Sequence, residues 1–96
     1  MTVAEFQDVI RRTYLERDRD RPGGGTFLWL VEEVGELAEA IREQRPKPEL
    51  EAEFADVFAW LASLANISGI ELESACAKYA SGCPACGAIP CECPPA

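Results

Sequence analysis

Apolar residues recur at helical spacing along most of the chain, and this pattern predicts helices and no strand. Thr2 and Glu5 form a capping-box pattern, which predicts the start of the first helix. The prolines of "RPKP" separate the second helix from the third, because proline cannot continue a helix. Gly69 predicts a left-handed stop after the third. The expected all-α fold has four helices, over about residues 3–17, 26–44, 48–68 and 71–80.

The stretch "RDRDRPGGG" (17–25) combines alternating charge, a proline and three glycines. This composition predicts a flexible connection between the first two helices. Its backbone amides are able to approach a phosphate closely, and a solvated surface loop is the other interpretation. The residues alone leave both interpretations open.

On a helical wheel, the second and third helices each show one apolar face, which we expect to form the core. The face of the second helix comprises Phe27, Leu30, Val34, Leu37 and Ile41. The face of the third helix comprises Leu50, Phe54, Val57, Leu61 and Leu64.

Each of these two helices carries a pair of acidic residues beside its apolar face, one helical turn apart. The second helix has Glu33 and Glu36 next to Trp29, and the third has Glu53 and Asp56 next to Trp60. Glu32 and Glu39, by contrast, point nearly opposite the expected core.

The spacing of the two acidic pairs matches an antiparallel hairpin. Both cross-pairs, Glu36 with Glu53 and Glu33 with Asp56, are centred between positions 44 and 45, beside the "RPKP" turn. A hairpin would therefore bring four carboxylates together. Their mutual repulsion would raise the pKa of at least one of them. Mg²⁺ or Mn²⁺, which prefer oxygen ligands, would relieve the repulsion. Solvated surface acids are the alternative for either pair taken alone.

Composition narrows the class of protein. The chain has 96 residues, which suits one domain, and its net charge of -8 disfavours binding to the phosphates of a nucleic acid. It contains neither a long apolar run nor a signal pattern at its start, so we expect no membrane partner and a cytoplasmic location. The absence of histidine excludes histidine as a general base or metal ligand.

The segments "EEVGE" (32–36) and "EFAD" (53–56) resemble the E-E-x-x-E and E-x-x-D motifs of the MazG-like all-α nucleoside triphosphate pyrophosphohydrolases. The resemblance extends over about residues 1–80 and includes "GELAEAI" and "ADVFAWLASLANISGIEL". It implies Mg²⁺-dependent hydrolysis of a (deoxy)nucleoside triphosphate to the monophosphate and pyrophosphate. It also implies a dimer, or a tetramer built from dimers.

The resemblance further implies roles for individual residues. The metal ligands would be Glu33, Glu36, Glu53 and Asp56. Glu32 matches the first acid of the motif and would position a water or a metal ligand. Lys78 stands where relatives carry a phosphate-binding lysine, although an ordinary surface lysine is the alternative. With metal bound, a water would attack the α-phosphorus in line while a carboxylate accepts its proton.

The remaining candidates near the acids have structural alternatives. Trp29 and Trp60 would stack on a nucleobase, or would pack in the core or at a dimer interface. For Arg11, Arg12 and Asn66, positions on a helix surface or at a helix end are sufficient explanations.

The C-terminal segment "CPACGAIPCEC" forms a second motif, with cysteines at positions 83, 86, 91 and 93. Four thiolates in a knuckle-like turn are the ligands that structural Zn²⁺ prefers. Disulfides, a redox pair or unliganded thiols are the alternatives, and disulfides are rarer in the cytoplasm. Cys76 stands apart on the fourth helix, where we expect it to be a small buried residue.

The apolar faces, with Phe54, Phe58, Leu61 and Leu64, exceed what a hairpin with two short flanking helices can cover. We therefore expect two copies to form a dimeric helical bundle or a tetramer, as the resemblance also implies. Residues 1–80 would be the helical domain and 81–96 a zinc-binding tail. A non-catalytic acidic adaptor that acts through this tail, or a helical protein that has lost catalysis, remain alternatives to the enzyme.

Overall fold

The computed structural model describes residues 1–22 and 24–95. Its helices are α1 (Val3–Arg19), α2 (Gly25–Arg42), α3 (Lys47–Ile67) and α4 (Leu72–Cys76), and a 3₁₀ turn (Ala77–Tyr79) follows α4. Over these residues the chain forms no strand, which confirms the all-α prediction. Gly23 of the expected connection and Ala96 of the expected tail lie outside the described residues.

The first helix begins, and the third ends, as the sequence predicts. At the start of α1, the Thr2 hydroxyl accepts a hydrogen bond from the Glu5 amide (3.0 Å), and the Glu5 carboxylate accepts one from the Thr2 amide (2.8 Å). At the end of α3, Gly69 adopts φ +70°, and the Ile70 amide returns to the Ala65 carbonyl at 2.9 Å. This pairing satisfies a carbonyl group that the last helical turn leaves free.

The second helix ends earlier than predicted, and the prolines are not the direct cause. α2 stops at Arg42, and Gln44 adopts a left-handed conformation with φ +53°. The Arg45 amide then donates to the Ala40 carbonyl at 3.1 Å. A left-handed cap therefore closes the helix before Pro46, at a position where glycine would be less strained.

The helices α2 and α3 pack as an antiparallel hairpin in the predicted register. Trp29 stacks on Trp60, with ring centroids 5.8 Å apart and ring planes 14° apart. This pair has the same centre in the sequence as the pair Glu33 and Asp56, so the two pairs lie one turn apart along the hairpin.

The apolar face predicted to form the core of α2 is partly wrong. Thr26 and Ala40 are the buried positions of this helix, whereas Phe27 and Ile41 are each 53% exposed and Val34 is similarly exposed. The less exposed side of α2 lies between its apolar face and its acidic flank, because Leu30, Glu33 and Leu37 are half-buried. On α3, Phe54 and Leu61 are likewise exposed. The exposed set, called the outer apolar face below, comprises Phe27, Val34, Ile41, Phe54 and Leu61.

The first helix packs on α3 through an aromatic stack and a group of hydrogen bonds made by one buried side chain. The rings of Phe6 and Phe58 lie 4.9 Å apart and nearly parallel. Gln7 is buried, and its side-chain amide donates to Asn66 Oδ1 (2.9 Å) and to the Ile70 carbonyl (2.7 Å). Its carbonyl oxygen accepts from the Leu72 amide at 2.8 Å. Asn66 thus has a structural role that joins α1 to the end of α3.

Among the described residues, each helix is either too short or too polar to span a lipid bilayer.

Candidate metal centre and adjoining pocket

The hairpin brings acidic side chains from both helices to one place. Glu33 comes from the middle of α2, and Glu53 and Asp56 are one turn apart on α3. One carboxylate oxygen of each lies within 4.8 Å of the other two. Glu33 and Glu53 are half-buried, and Asp56 is exposed. The structure therefore assembles three of the four carboxylates that the spacing placed at one site; these three are called the acidic cluster below.

Glu36 lies at the edge of the acidic cluster. It is exposed, and its oxygens are outside the mutually close group. It nevertheless acts on Glu33, whose pKa is raised above its ordinary value by burial first, and then by the charges of Glu36 and Asp56. The charge of Glu53 raises the same pKa further.

Two oxygens of the acidic cluster are buried without a hydrogen-bond partner among the described residues, namely Glu33 Oε2 and Glu53 Oε2. A buried polar atom without a partner costs about 1–3 kcal/mol, and more when the group is charged. A divalent cation would supply the missing interaction, and carboxylate oxygens are the ligands that Mg²⁺ and Mn²⁺ prefer. The residues present thus fit a hard divalent cation.

The other residues predicted around the acids are less close to them. Glu32 is exposed and outside the acidic cluster. Trp29 and Trp60 cover each other by stacking, which agrees with the packing interpretation. Trp29 is still nearly half exposed, so it retains surface on which a base can stack.

A pocket of about 230 Å³ opens beside the acidic cluster, between the end of α1 and the middle of α3. Asp56 borders both the cluster and this pocket. The pocket is lined mainly by Tyr14, Arg17, Asp18, Arg21, Asp56 and Trp60. Sequence reasoning misses the tyrosine and the guanidinium groups of this pocket, because the composition of residues 17–25 indicates a flexible connection.

Arg21 is held in the pocket by three contacts. It forms an ion pair with Asp18, donates to Thr26 Oγ1 at 3.3 Å, and lies 4.7 Å from the centre of the Trp60 ring. Asp18 itself is only 3% exposed. Tyr14, Arg17 and Asp18 stand at helical spacing, and this is the signal in the sequence that would have indicated that α1 continues to the pocket.

The predicted cationic residues lie elsewhere. Lys78 is in the 3₁₀ turn after α4, with its ammonium group 5.3 Å from the centre of the Tyr79 ring, and it does not line the pocket. Arg11 and Arg12 both pair with Asp8, at 3.2 and 2.9 Å. These arginines stabilise the surface of α1 at most weakly.

The four tail cysteines converge on one point. Their sulfur atoms all lie within 4.8 Å of one another; Cys83 and Cys93 are 3.7 Å apart, and Cys86 and Cys91 are 3.9 Å apart. A tetrahedral zinc ion with Zn–S bonds of about 2.3 Å separates its sulfur ligands by about 3.8 Å. The arrangement therefore fits a tetrahedral metal ion.

Backbone amides of the tail favour thiolates. The Glu92 amide donates to Cys86 Sγ at 3.3 Å and, with the Ala88 amide, lowers the pKa of Cys86 to about 6. Cys93 donates its S–H to neighbouring sulfurs, Cys91 first and then Cys83, and this raises the pKa of Cys93 to about 11. A bound metal would be needed to hold all four groups as thiolates. Cys76 is exposed at the end of α4, so the prediction that it is buried is wrong: α4 has no buried residue.

Comparisons with known proteins give one family match and one similar phage protein. Residues 24–86 match the family model described as the MazG nucleotide pyrophosphohydrolase domain. Over 74 residues, the chain is 36% identical to a protein of Cyanophage S-2L named dATP/dGTP diphosphohydrolase. This match covers 77% of the chain and 66% of the phage protein, slightly less than two thirds of the length of that relative. The family match includes the acidic cluster but leaves out α1.

Proposed function

Because the chain belongs to the MazG nucleotide pyrophosphohydrolase family, we propose that it hydrolyses (deoxy)nucleoside triphosphates to the monophosphate and pyrophosphate. The observation that carries this proposal is the acidic cluster, where buried oxygens of Glu33 and Glu53 lack a partner among the described residues. A triphosphate is itself anionic, so such a site binds it only through cations. The cluster thus suits a metal-dependent reaction on a polyphosphate.

The residues that would hold Mg²⁺ or Mn²⁺ are Glu33, Glu53 and Asp56, with Glu36 joining at the edge. A bound divalent ion would neutralise phosphate oxygens and make a water more acidic. A carboxylate of the site accepts the proton of the attacking water as the bond to the α-phosphorus forms, and pyrophosphate leaves. Carboxylates are the available bases, since the chain contains no histidine.

The name of the phage relative suggests where to begin with substrates. It refers to dATP and dGTP, and we propose that purine deoxynucleoside triphosphates are among the substrates of this chain. Trp29, which is nearly half exposed, is better placed to stack on the base than Trp60, which contacts both Trp29 and Arg21. Lys78 remains a prediction as a phosphate ligand.

We further propose that the protein acts as a homodimer or as a tetramer built from dimers. The outer apolar face exposes large side chains of both long helices, including Phe27, Ile41 and Phe54. A second copy would remove this surface from water, with a favourable contribution of about 25 cal/mol per Å² of apolar area. Sedimentation of the wild type and of Phe54→Lys tests this: the variant should be monomeric, and a monomeric wild type would refute the dimer.

For the tail, we propose a structural Zn²⁺ ion bound by Cys83, Cys86, Cys91 and Cys93. The convergence of the four sulfurs supports this interpretation over pairwise disulfides or unliganded thiols. The amide donors to Cys86 and Cys91 are the type of contact that stabilises coordinated thiolates.

The decisive experiment is a substrate panel. Purified protein is incubated with Mg²⁺ and each standard ribo- and deoxynucleoside triphosphate, and pyrophosphate and orthophosphate are measured separately. Pyrophosphate release should be abolished by Glu36→Gln and by Asp56→Asn, with the helical circular dichroism unchanged. Glu51→Gln, an exposed acid on the same helix as Asp56, is the matched control and should retain activity. If the folded wild type releases no pyrophosphate from any nucleotide, the adaptor function becomes the better account.

A further inference from the structure

We propose that Arg21 binds the two terminal phosphates of the substrate, and hence the pyrophosphate product, in the pocket beside Asp56. This inference rests on the proposed function and adds a specific ligand to it. It concerns a residue that precedes the segment matched by the family model, which begins at residue 24.

The position of the pocket supports this assignment. Asp56 contributes to the acidic cluster and also lines the pocket, so the two sites adjoin at this residue. Arg17 and Arg21, from the end of α1 and just beyond it, also line the pocket. Asp18 and Asp56 line the pocket too, so the two arginines would bind the phosphates of an anion while a cation at the acidic cluster would offset Asp56.

The hydrogen bonds of Arg21 leave donors for a ligand. Its contacts with Asp18 and Thr26 both use Nη1. Nε and Nη2 have no acceptor in the part of the chain that the structure describes. Only 20% of the Arg21 side chain is exposed, so most of the group is already removed from water. A planar guanidinium with free donors in a partly dry pocket is well suited to bidentate binding of phosphate.

The surroundings of Arg21 hold it in place before any ligand binds. The buried Asp18 carboxylate anchors one nitrogen, and the Trp60 ring supports the guanidinium by a cation–π contact. The start of the Arg21 side chain packs closely against Gly25, since a Cβ added there would lie 3.2 Å from Arg21 Cβ. A side chain fixed in this way loses little conformational freedom on binding. Asp18 is therefore a positioning residue.

The competing explanation is that Arg21 only neutralises the buried charge of Asp18. A purely structural arginine would affect unfolding when replaced, but not the selectivity between the two products of the reaction. Lysine retains the charge opposite Asp18 and loses the planar fork, so Arg21→Lys separates the two explanations.

The test is a calorimetric titration of the wild type and Arg21→Lys, in the presence of Mg²⁺, with pyrophosphate and separately with deoxyguanosine monophosphate. Loss of charge-assisted hydrogen bonds should weaken pyrophosphate binding about tenfold, while the monophosphate affinity changes less than about twofold. Arg42→Lys, on the exposed end of α2, is the matched control and should bind both ligands as the wild type does. Equal pyrophosphate affinity in a folded Arg21→Lys, or no pyrophosphate binding by the wild type, would overturn the assignment.

Asp18→Asn provides a second variant in case Arg21→Lys fails to fold. It retains the arginine but weakens its anchor, so pyrophosphate binding should weaken severalfold with the monophosphate again unaffected. An unchanged pyrophosphate affinity in folded Asp18→Asn would also count against the proposal. Hydrolysis of triphosphates is measured separately. A wild type that binds pyrophosphate but hydrolyses no nucleotide would refute the proposed function and would still support a pyrophosphate site at Arg21.

Discussion

The acidic cluster and the cysteine cluster each gather side chains of one chemical kind, but the chain assembles them in opposite ways. Glu33 and Glu53 are 20 positions apart in the sequence, and the packing of two long helices brings them together. The four cysteines lie between positions 83 and 93, in turns that follow the last helix. One cluster is a product of the tertiary fold, whereas the other is local.

This difference teaches what an ion would do at each place. The helices hold the carboxylates together despite their repulsion, so a divalent cation there would serve the reaction more than the fold. The tail contains no helix and no buried residue among those described, so it has little packing of its own. A metal ion bound by its thiolates would contribute folding free energy directly. Loss of metal should therefore affect activity at one cluster and local order at the other.

The largest difference between the two clusters is expected from Glu53→Gln, which should affect activity but not the tail. The substitution preserves the shape of the side chain but removes one negative charge of the acidic cluster, so pyrophosphate release should fall by about a hundredfold or more. The zinc content and the helical circular dichroism should not change. A variant that keeps wild-type turnover would show that the acidic cluster is not the reaction centre.

Cys86→Ser should have the converse effect. Removing one thiolate should lower the zinc content of the purified protein well below one equivalent, and amide hydrogen exchange should lose protection in residues 83–93. The unfolding midpoint of the helices should change by only a few degrees. Cys76→Ser, which alters an exposed cysteine outside the cluster, is the control. Equal zinc loss in both variants would contradict a four-cysteine site.

The raised pKa of Glu33 predicts a pH dependence that is specific to the acidic cluster. Because the pKa is higher in the folded protein than in the unfolded chain, ionisation of Glu33 penalises the native state. The contribution of Glu33 to stability is therefore fully present below the pKa of the unfolded chain, and it is lost as pH rises through the folded pKa. Without divalent metal, the unfolding midpoint of the wild type should fall more steeply with pH than that of Glu33→Gln. Added Mg²⁺ should remove this difference above the folded pKa, and parallel curves would contradict the prediction.

The smallest effect is expected at the turn that sets the register of the acidic cluster. Gln44 has φ +53°, which glycine adopts without strain. Gln44→Gly should raise the free energy of unfolding by about 0.5–1 kcal/mol, measured by urea denaturation, with turnover and zinc content unchanged. A destabilised variant would show that the Gln44 side chain makes a more important contribution than its backbone strain.

The register of the acidic cluster was predictable because it depends on short-range information. Helical periodicity and a single turn determine which residues of a hairpin lie opposite one another, and Trp29 with Trp60 follows the same register as Glu33 with Asp56. The cysteine cluster was predictable for a related reason, because all its members are close in sequence. The spacing predicts Glu36 as a full member of the carboxylate site, but the rotation of α2 places it at the edge of the acidic cluster.

The rotation of the helices and the ordered end of α1 were not predictable in this way. A helical wheel finds an apolar face, but it does not tell whether that face meets the same chain or stays exposed, as Phe27 and Ile41 do. The alternating charges of residues 17–21 suggest a solvated loop, because a buried aspartate is rare without a partner. Asp18 is buried and paired with Arg21, and Arg21 in turn lies against Trp60. Such contacts depend on three elements at once.

The stacking of Trp29 on Trp60 gives the protein a built-in optical probe. The chain contains two tryptophans, and both lie beside the acidic cluster, with one of them in contact with Arg21. Ultraviolet emission excited at the red edge of the absorption band therefore originates at this one place, without any label. Titration of a cation or a nucleotide can be followed by the colour and intensity of that light, at concentrations far below those that calorimetry needs.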